Sequence, residues 1–206
     1  LSGHINWDVS ELKLSPDGKT LAFVTNEAGI GILHLMDTES GNIDVLPNLP
    51  IGTLGGIEWH ESKPELGFSL RSAQTPGDAY SVNVRTRAVT RWTFSETGSV
   101  NASDFREPEL VTWKSFDGLE VSGFLYRPPA TFTGKRPVLM NIHGGPEGQA
   151  RPGYLGSMNY FVHELGMAVL MPNVRGSSGH GKTFLQLDNG FNREDSYKDI
   201  ESLLDW

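Results

Sequence analysis

Short apolar runs separated by turn residues cover the first hundred residues of the chain. A Ser-Pro-Asp-Gly turn at residues 15–18 separates an apolar run ending at Leu14 from another at residues 21–24. A second unit of the same kind follows, because residues 57–69 align with residues 12–24 at a spacing of 45. Strand, turn and strand occur in the same order in both copies, which predicts a repeated β-unit.

The repeat is long enough to hold four strands in each unit. Residues 80–84 match residues 33–37 at a spacing of 47, so about two residues are inserted in the second copy. Four strands per repeat of this length are typical of a β-propeller blade, and these units are similar to WD-like blades. An unrelated β-meander is the alternative. A propeller closes with about four to eight blades, so further blades are expected upstream of Leu1.

Beyond residue 100 the pattern changes from repeated strands to alternating strands and helices. Polar residues 101–108 suit a connection between domains. The runs at 109–115 and 119–126 flank an Asp-Gly turn, which predicts a hairpin. A final apolar stripe predicts a helix from about Asp195 to Trp206; its residues are Tyr197, Ile200, Leu203 and Leu204.

Residues 137–143 (Pro-Val-Leu-Met-Asn-Ile-His) form the stretch around which the second half is organised. This short apolar run opens after a proline and closes on glycines, which predicts an interior strand of a parallel sheet. A helix is predicted to begin at Ser157 and stop at Gly166, and residues 167–172 read as another buried strand. Strand, helix and strand in this order predict a βαβ unit.

The glycines after this strand carry the first chemical signal. Gly144, Gly145 and Pro146 force a turn and leave backbone N–H groups without ladder partners. An α/β-hydrolase uses a strand ending in His-Gly-Gly to build half of its oxyanion hole. The alternative is an ordinary Gly-Pro turn at a strand end.

Composition and charge exclude several classes of function. Seventeen Lys and Arg against 25 Asp and Glu give a net charge of −8, which argues against nucleic acid or an anionic membrane as the main partner. The absence of cysteine excludes disulfides, thiol catalysis and cysteine-ligated zinc. Neither a metal nor another cofactor is expected, because the histidines that could serve as ligands are scattered: His34, His60, His163 and His180.

Four segments resemble the prolyl oligopeptidase family of serine peptidases, and most closely its acylaminoacyl-peptidase-like members. They are residues 143–146 (His-Gly-Gly-Pro), 172–179 (Pro-Asn-Val-Arg-Gly-Ser-Ser-Gly), 188–196 and 198–206. His180 replaces the aromatic residue usual in that family. The resemblance implies a mixed fold: an incomplete β-propeller of about two blades at 1–100, a linker at 101–108, and the N-terminal part of an α/β-hydrolase domain at 109–206. Both ends of the chain are expected to be cuts within a longer protein.

The resemblance also implies roles for single residues. The backbone N–H of Gly145 is expected to be one oxyanion donor, supported by His143, Gly144 and Pro146. Arg175 is expected to form an ion pair; its candidate partners are Asp195 and Asp199, and a substrate-side role is the alternative.

No catalytic triad is expected within the chain. The G-x-S-x-G turn of an α/β-hydrolase nucleophile is absent, because His180 stands where Ser178 would need a second glycine. Ser177 and Ser178 are therefore read as loop residues, and the nucleophile, acid and histidine are expected after Trp206.

The predicted function is that of a serine-type peptidase, an oligopeptidase or an acylaminoacyl- or dipeptidyl-type exopeptidase, acting on short peptides through an acyl-enzyme. The 206-residue chain alone is expected to be inactive. An esterase of the same fold and a non-catalytic, propeller-bearing binding protein are the alternatives. A peptide substrate is the expected partner, without nucleic acid or membrane, and the compartment and oligomeric state stay open.

Overall fold

The computed structural model describes Gly3 and residues 5–46, 48–98, 100–145 and 147–206. Two compact units make up the chain. The first unit comprises Leu1–Asp104 with Pro152–Tyr154, and the second comprises Phe105–Arg151 with Leu155–Trp206. None of the described helices is both long enough and apolar enough to cross a membrane.

The first unit holds two four-stranded antiparallel sheets in which each strand pairs with the next one along the chain. The first sheet contains β1 (Asp8–Leu14), β2 (Thr20–Glu27), β3 (Ile30–Asp37) and β4 (Ile43–Val45). The second sheet contains β5 (Gly52–Trp59), β6 (Glu65–Ser72), β7 (Thr75–Asn83) and β8 (Val89–Arg91). The repeated four-stranded unit predicted from the sequence is therefore present.

Equivalent hydrogen bonds close the turns of both sheets. The Ser15 N–H donates to the Thr20 carbonyl at 2.8 Å, and the His60 N–H donates to the Glu65 carbonyl at 2.9 Å, at positions 45 residues apart. The predicted spacing of 47 for the third strand is wrong. It is 46, because one extra residue enters the second sheet at an irregularity in register between Leu70 and Ser72.

The core of the first unit lies between the two sheets, where apolar side chains of both meet. The first sheet contributes Ala22, Val24, Leu33, Leu35 and Leu46, and the second contributes Leu54, Ile57, Leu66, Phe68, Leu70, Tyr80 and Val82. Alternate residues along each strand point to the same face, so one face of each sheet supplies this core.

The second unit is built on a mixed sheet in the order β11-β12-β10-β9. Its strands are β9 (Glu109–Lys114), β10 (Glu120–Tyr126), β11 (Val138–Met140) and β12 (Ala168–Asn173), and its helices are α1 (Asn159–His163), α2 (Gly181–Leu185) and α3 (Asp195–Asp205). Short 3₁₀ turns occupy Ala102–Asp104 in the first unit and Gly156–Met158 and Gly190–Glu194 in the second. β11 runs parallel to β12, as predicted, and the other pairs are antiparallel.

The prediction of an interior strand over 137–143 is wrong for this chain. β11 covers only Val138–Met140 and lies at the sheet edge, with β12 as its partner among the described strands. Val138 is 56% exposed and Ile142 is 49% exposed, because the described residues place no further strand beyond β11. The ladder continues by one bond, from the Asn141 N–H to the Leu170 carbonyl at 2.9 Å, and then the glycines follow.

The other predicted elements of the second unit are present, with shifted ends. The 109–126 hairpin closes through a bond from the Ser115 N–H to the Leu119 carbonyl at 2.8 Å. The helix expected from Ser157 begins as the 3₁₀ turn, and α1 is confined to Asn159–His163. Gly166 adopts a φ of 62°, the left-handed conformation that ends helices. The last helix begins at Asp195, as predicted.

Candidate active site

A glycine-rich segment, called the glycine loop from here on, follows β11 and covers residues 143–150, of which Pro146 lies outside the described residues. Gly145 has a φ of 124°, a conformation that residues with a Cβ avoid. Its N–H makes no backbone hydrogen bond to any other described residue. A Cβ at Gly148 would collide with the Gly144 carbonyl oxygen, so the loop also requires glycine at 148.

The ring of His143 contacts both the glycine loop and the loop after β12. Its Nε2 lies 3.0 Å from the Ser177 hydroxyl, and its Nδ1 lies 3.2 Å from the Gly144 carbonyl oxygen. The Ser177 hydroxyl donates to the Val174 carbonyl at 2.6 Å, so Nε2 must donate to Ser177.

The contact with the Gly144 carbonyl also orients the neighbouring peptide N–H. In a trans peptide unit the C=O and N–H bonds point in opposite directions. The Gly144 carbonyl faces the His143 ring, so the Gly145 N–H of the same unit points away from that ring.

Ser177 and Ser178 are both engaged in holding loops together. Ser177 is fully buried, and its hydroxyl proton is directed at a carbonyl rather than at a base. The Ser178 N–H donates to the Gly148 carbonyl at 3.1 Å. An activated nucleophile needs a base that accepts its proton, and Ser177 lacks that arrangement.

The side chain of Asn173, the last residue of β12, forms a second contact with the glycine loop. Its Oδ1 accepts from the Ala150 N–H at 2.7 Å, and its Nδ2 donates to the Ala150 carbonyl at 2.9 Å. Both residues are buried. Sequence reasoning missed this pair, because neither an asparagine at a strand end nor an alanine in a loop carries a charge or motif that points to a partner.

Arg175 forms the ion pair expected for it, with Asp199 and not with Asp195. Its Nη2 lies 2.8 Å from an Asp199 oxygen, and its Nη1 lies 2.9 Å from an Asp117 oxygen. The Arg175 side chain is only 5% exposed, and Asp195 pairs with Lys198 at 2.7 Å instead. The cluster therefore ties the hairpin turn, the loop after β12 and α3 together.

Burial and hydrogen bonding shift the pKa of Arg175 in opposite directions. Burial alone would lower the pKa of Arg175, but its bonds to Asp117 and Asp199 raise that pKa above its ordinary value. The bond from Arg175 lowers the pKa of Asp117 below its ordinary value. The guanidinium bonds two carboxylates, which favours the structural reading of Arg175 over the substrate-side one.

In the loop after β12, Gly176 lies very close to the side chain of Asp188, a contact that the sequence did not predict. Gly176 has a φ of 87°, and a Cβ there would collide with the carboxylate of Asp188. That carboxylate is buried and pairs with Arg193. Across the residues that the structure describes, no group of three or more His, Asp or Glu side chains is placed to hold a metal ion.

Comparisons with known proteins place these features in context. The chain is 26% identical over 168 residues to prolyl oligopeptidase A of Amanita bisporigera, a match that covers 80% of this chain and 22% of that protein. It is 33% identical over 100 residues to an uncharacterised peptidase of Bacillus subtilis, covering 48% of this chain and 15% of that protein. No family model matches the chain.

The fold is similar to that of a solved archaeal enzyme. The acylaminoacyl peptidase of Pyrococcus horikoshii superposes on 99% of this chain with a TM-score of 0.76 at 21% identity. The match covers 31% of that protein. The chain thus spans less than a third of each relative and of this structure.

Proposed function

Because the chain belongs to the prolyl oligopeptidase family, we propose that it is part of a longer serine-type peptidase that hydrolyses short peptides through an acyl-enzyme. The observation that carries the proposal is the Gly145 N–H, which has no bonding partner among the described residues at the carboxyl end of a parallel strand. Ligand sites of α/β sheets collect at such ends.

The glycine loop would supply half of an oxyanion hole. The Gly145 N–H would donate to the oxygen that becomes negative in the tetrahedral intermediate, and His143 and Gly144 would orient that N–H. Pro146, expected to support the same loop, lies outside the described residues. The second donor would be the N–H after the nucleophile, in a G-x-S-x-G turn outside this chain.

The edge position of β11 bears directly on this assignment. An oxyanion loop is expected on an interior strand, and among the described strands β11 pairs on one side only. We propose that another strand of the longer protein pairs with its free side. The exposed apolar side chains of Val138 and Ile142 support this, because an edge strand open to water rarely carries them.

The two sheets of the first unit would be the last two blades of a propeller, with 1–100 as blades, 101–108 as linker and 109–206 as the start of the hydrolase domain. A cavity of about 280 Å³ on the outer face of the first sheet supports this; its lining includes Val9, Leu12, Leu21, Phe23, Met36 and Ile43. Their equivalents in the second sheet, 45 or 46 residues later, are Leu54, Ile57, Leu66, Phe68, Val82 and Val89.

Those equivalents in the second sheet are the side chains that pack against the first sheet. The outer face of the first sheet therefore carries apolar residues at the same repeat positions that the second sheet uses to pack against its neighbour. Its occupant would be a preceding four-stranded unit of the same kind.

Turnover of two substrate classes tests the proposal. The full-length protein should hydrolyse chromogenic peptide anilides, and the 206-residue chain should hydrolyse neither anilides nor short-chain esters, because it lacks the nucleophile. Hydrolysis of esters alone by the full-length protein would support an esterase instead. Hydrolysis of neither would support the non-catalytic binding protein, and turnover by the 206-residue chain would place a nucleophile within it.

A further inference from the structure

The side chain of Asn173 joins the glycine loop to the end of β12. β12 runs on to Asn173, while β11 ends at Met140, so none of the described strands lies beside the last part of β12 on that side. Asn173 offers one acceptor and one donor to Ala150, and both are used. A side-chain amide thus makes to the Ala150 backbone the pair of bonds that the backbone of a neighbouring strand would make.

The glycine loop is held at both ends and in its middle. Its near end follows the bond from the Asn141 N–H to Leu170. Its middle is bound by Ser178 at Gly148, and its far end is bound by Asn173 at Ala150. Of these ties, Asn173 contributes two hydrogen bonds in a place that water does not reach.

We propose that Asn173 is a positioning residue for the hydrolysis, acting through the glycine loop on the Gly145 N–H. The inference rests on the proposed function, because it takes that N–H as an oxyanion donor. Its far anchor determines where the loop ends, and a displacement of about 1 Å in a reacting geometry can cost roughly a hundredfold in rate. Asn173 itself touches no reacting atom.

The chemistry of the pair makes asparagine hard to replace. Alanine would leave the N–H and C=O of Ala150 buried without partners. Aspartate would keep the acceptor for the Ala150 N–H, but it would place a second acceptor against the Ala150 carbonyl. Asn173→Asp therefore breaks half of the contact at almost unchanged volume.

The test compares three variants of the full-length protein: Asn173→Ala, Asn173→Asp and Ser122→Ala. Ser122 is the matched control, because it pairs with Asn173 across the sheet and is buried. Its hydroxyl has no hydrogen-bond partner among the described residues. Two readouts are needed: kcat and KM for a peptide anilide, and hydrogen exchange of residues 141–150 followed by mass spectrometry.

Both Asn173 variants should lower kcat about tenfold to a hundredfold while KM changes less than about twofold, because the oxyanion donor acts in the transition state. Exchange across 141–150 should be faster in both variants and unchanged in Ser122→Ala. A peptide aldehyde, whose adduct places an oxygen at the same site, should lose affinity in proportion to kcat/KM.

Several results would overturn the inference. If both Asn173 variants match Ser122→Ala in kcat, or if KM rises while kcat holds, Asn173 does not position the donor. If Asn173→Ala fails to fold, Asn173→Asp decides alone. A full-length protein that turns over no substrate would refute the proposed function, and unchanged exchange in the Asn173 variants would separately refute the anchoring of the loop.

Discussion

The two sheets of the first unit share one backbone design and differ in what their faces touch. Leu12 in β1 and Ile57 in β5 occupy the same place in the repeat, 45 residues apart. Ile57 is 1% exposed and packs on the first sheet, whereas Leu12 is 62% exposed. The turn residues therefore set the strands and their register, and the neighbour of each sheet decides which apolar residues are buried.

The second sheet also carries a polar anchor that the first lacks. Asp78 in β7 is fully buried at its side chain and accepts hydrogen bonds from Thr93 and Ser95, which follow β8. Arg91 pairs with the same carboxylate at 2.6 Å. The equivalent position in the first sheet is Ile32, which makes no such bonds. The Asp78 carboxylate thus holds the segment that follows β8 against the second sheet.

The largest effect expected from this comparison is that of truncating Ile57. In the 206-residue chain, Ile57→Ala should lower the free energy of unfolding by about 2–5 kcal/mol, because it leaves a cavity in the core. Leu12→Ala should change it by less than about 0.5 kcal/mol, since Leu12 lies in solvent. Urea denaturation of both variants measures the difference.

The same pair of variants in the full-length protein extends the test. If another four-stranded unit covers the first sheet there, Leu12→Ala should cost about 2 kcal/mol or more. An equally small effect of Leu12→Ala in both proteins would contradict the proposed neighbour.

Removing the polar anchor of the second sheet should be the next largest effect. Asp78→Ala should cost about 2–3 kcal/mol, because it leaves several donors without their acceptor, although Arg91 can turn partly to water. Ile32→Ala, at the equivalent place, should cost a comparable amount only through lost packing. Denaturation at pH 7 and pH 3 separates the two causes.

Acid should weaken the contribution of Asp78 and spare that of Ile32. Burial alone raises the pKa of Asp78, but hydrogen bonds from Thr75, Thr93 and Arg91 outweigh burial and hold the pKa well below its ordinary value of 3.8. The stabilisation is therefore complete well above pH 3.8 and declines progressively as the pH falls from there through the lowered pKa of the folded state, so pH 3 removes only part of it. A cost of Asp78→Ala that is the same at both pH values would contradict the ionic account.

A smaller effect is expected at the turn before the fourth strand. Gly41 has a φ of 74° in the first sheet, and Arg87 has a φ of 62° at the equivalent place in the second. Gly41→Ala should cost about 1 kcal/mol, because a Cβ is unfavourable in this conformation. Arg87→Gly should change stability by less than about 0.5 kcal/mol, since relief of strain is offset by loss of the surface pair with Asp44. Thermal unfolding of the two variants checks the asymmetry.

The smallest effect is a pH dependence confined to the first sheet. His34 stacks on Phe23 at 4.8 Å, where the second sheet stacks Tyr80 on Phe68 at 5.9 Å. Burial lowers the pKa of His34 from its ordinary value of 6.5, with Glu27 opposing the shift. The unfolded chain therefore binds the proton more readily, and stability should fall as the pH drops below 6.5.

Replacing His34 should remove this dependence of stability on pH. His34→Phe should make the urea midpoint nearly independent of pH between about pH 7.5 and pH 5. Tyr80→Phe should show the same dependence of the urea midpoint on pH as the parent protein. If the urea midpoint of the parent protein does not change with pH in this range, the pKa of His34 is the same in the folded and unfolded chain, and the account is contradicted.

The elements that the sequence predicted correctly are those whose cause is local. The Asp-Gly turn at 117–118, the stop at Gly166 and the repeated turns of the first unit each follow from residues a few positions apart. The parallel pairing of β11 with β12 followed from the order of strand, helix and strand. The edge position of β11 did not follow, because a buried-looking run does not show what lies beside it.

The contacts that fix the candidate site join residues far apart in the chain. His143 meets Ser177 across 34 residues, and Arg175 meets Asp117 across 58. Gly148 and Asn173 carried no separate signal, since a glycine near other glycines and a polar residue ending a strand are both common. The sequence predicted an ion pair for Arg175 because two acidic residues of the predicted last helix lie near it in the chain, and Asp199 on α3 is one of them.

Covalent labelling of the full-length protein tests most directly the claim that this chain supplies the oxyanion side of a serine peptidase. A serine-directed phosphonate should abolish peptide hydrolysis and modify one serine, identified by peptide mapping, within a G-x-S-x-G turn outside residues 1–206. The Gly145 N–H would then face the phosphonyl oxygen of the adduct in a structure of the labelled protein. Modification of Ser177 or Ser178, or hydrolysis that continues without any labelled serine, would contradict the account.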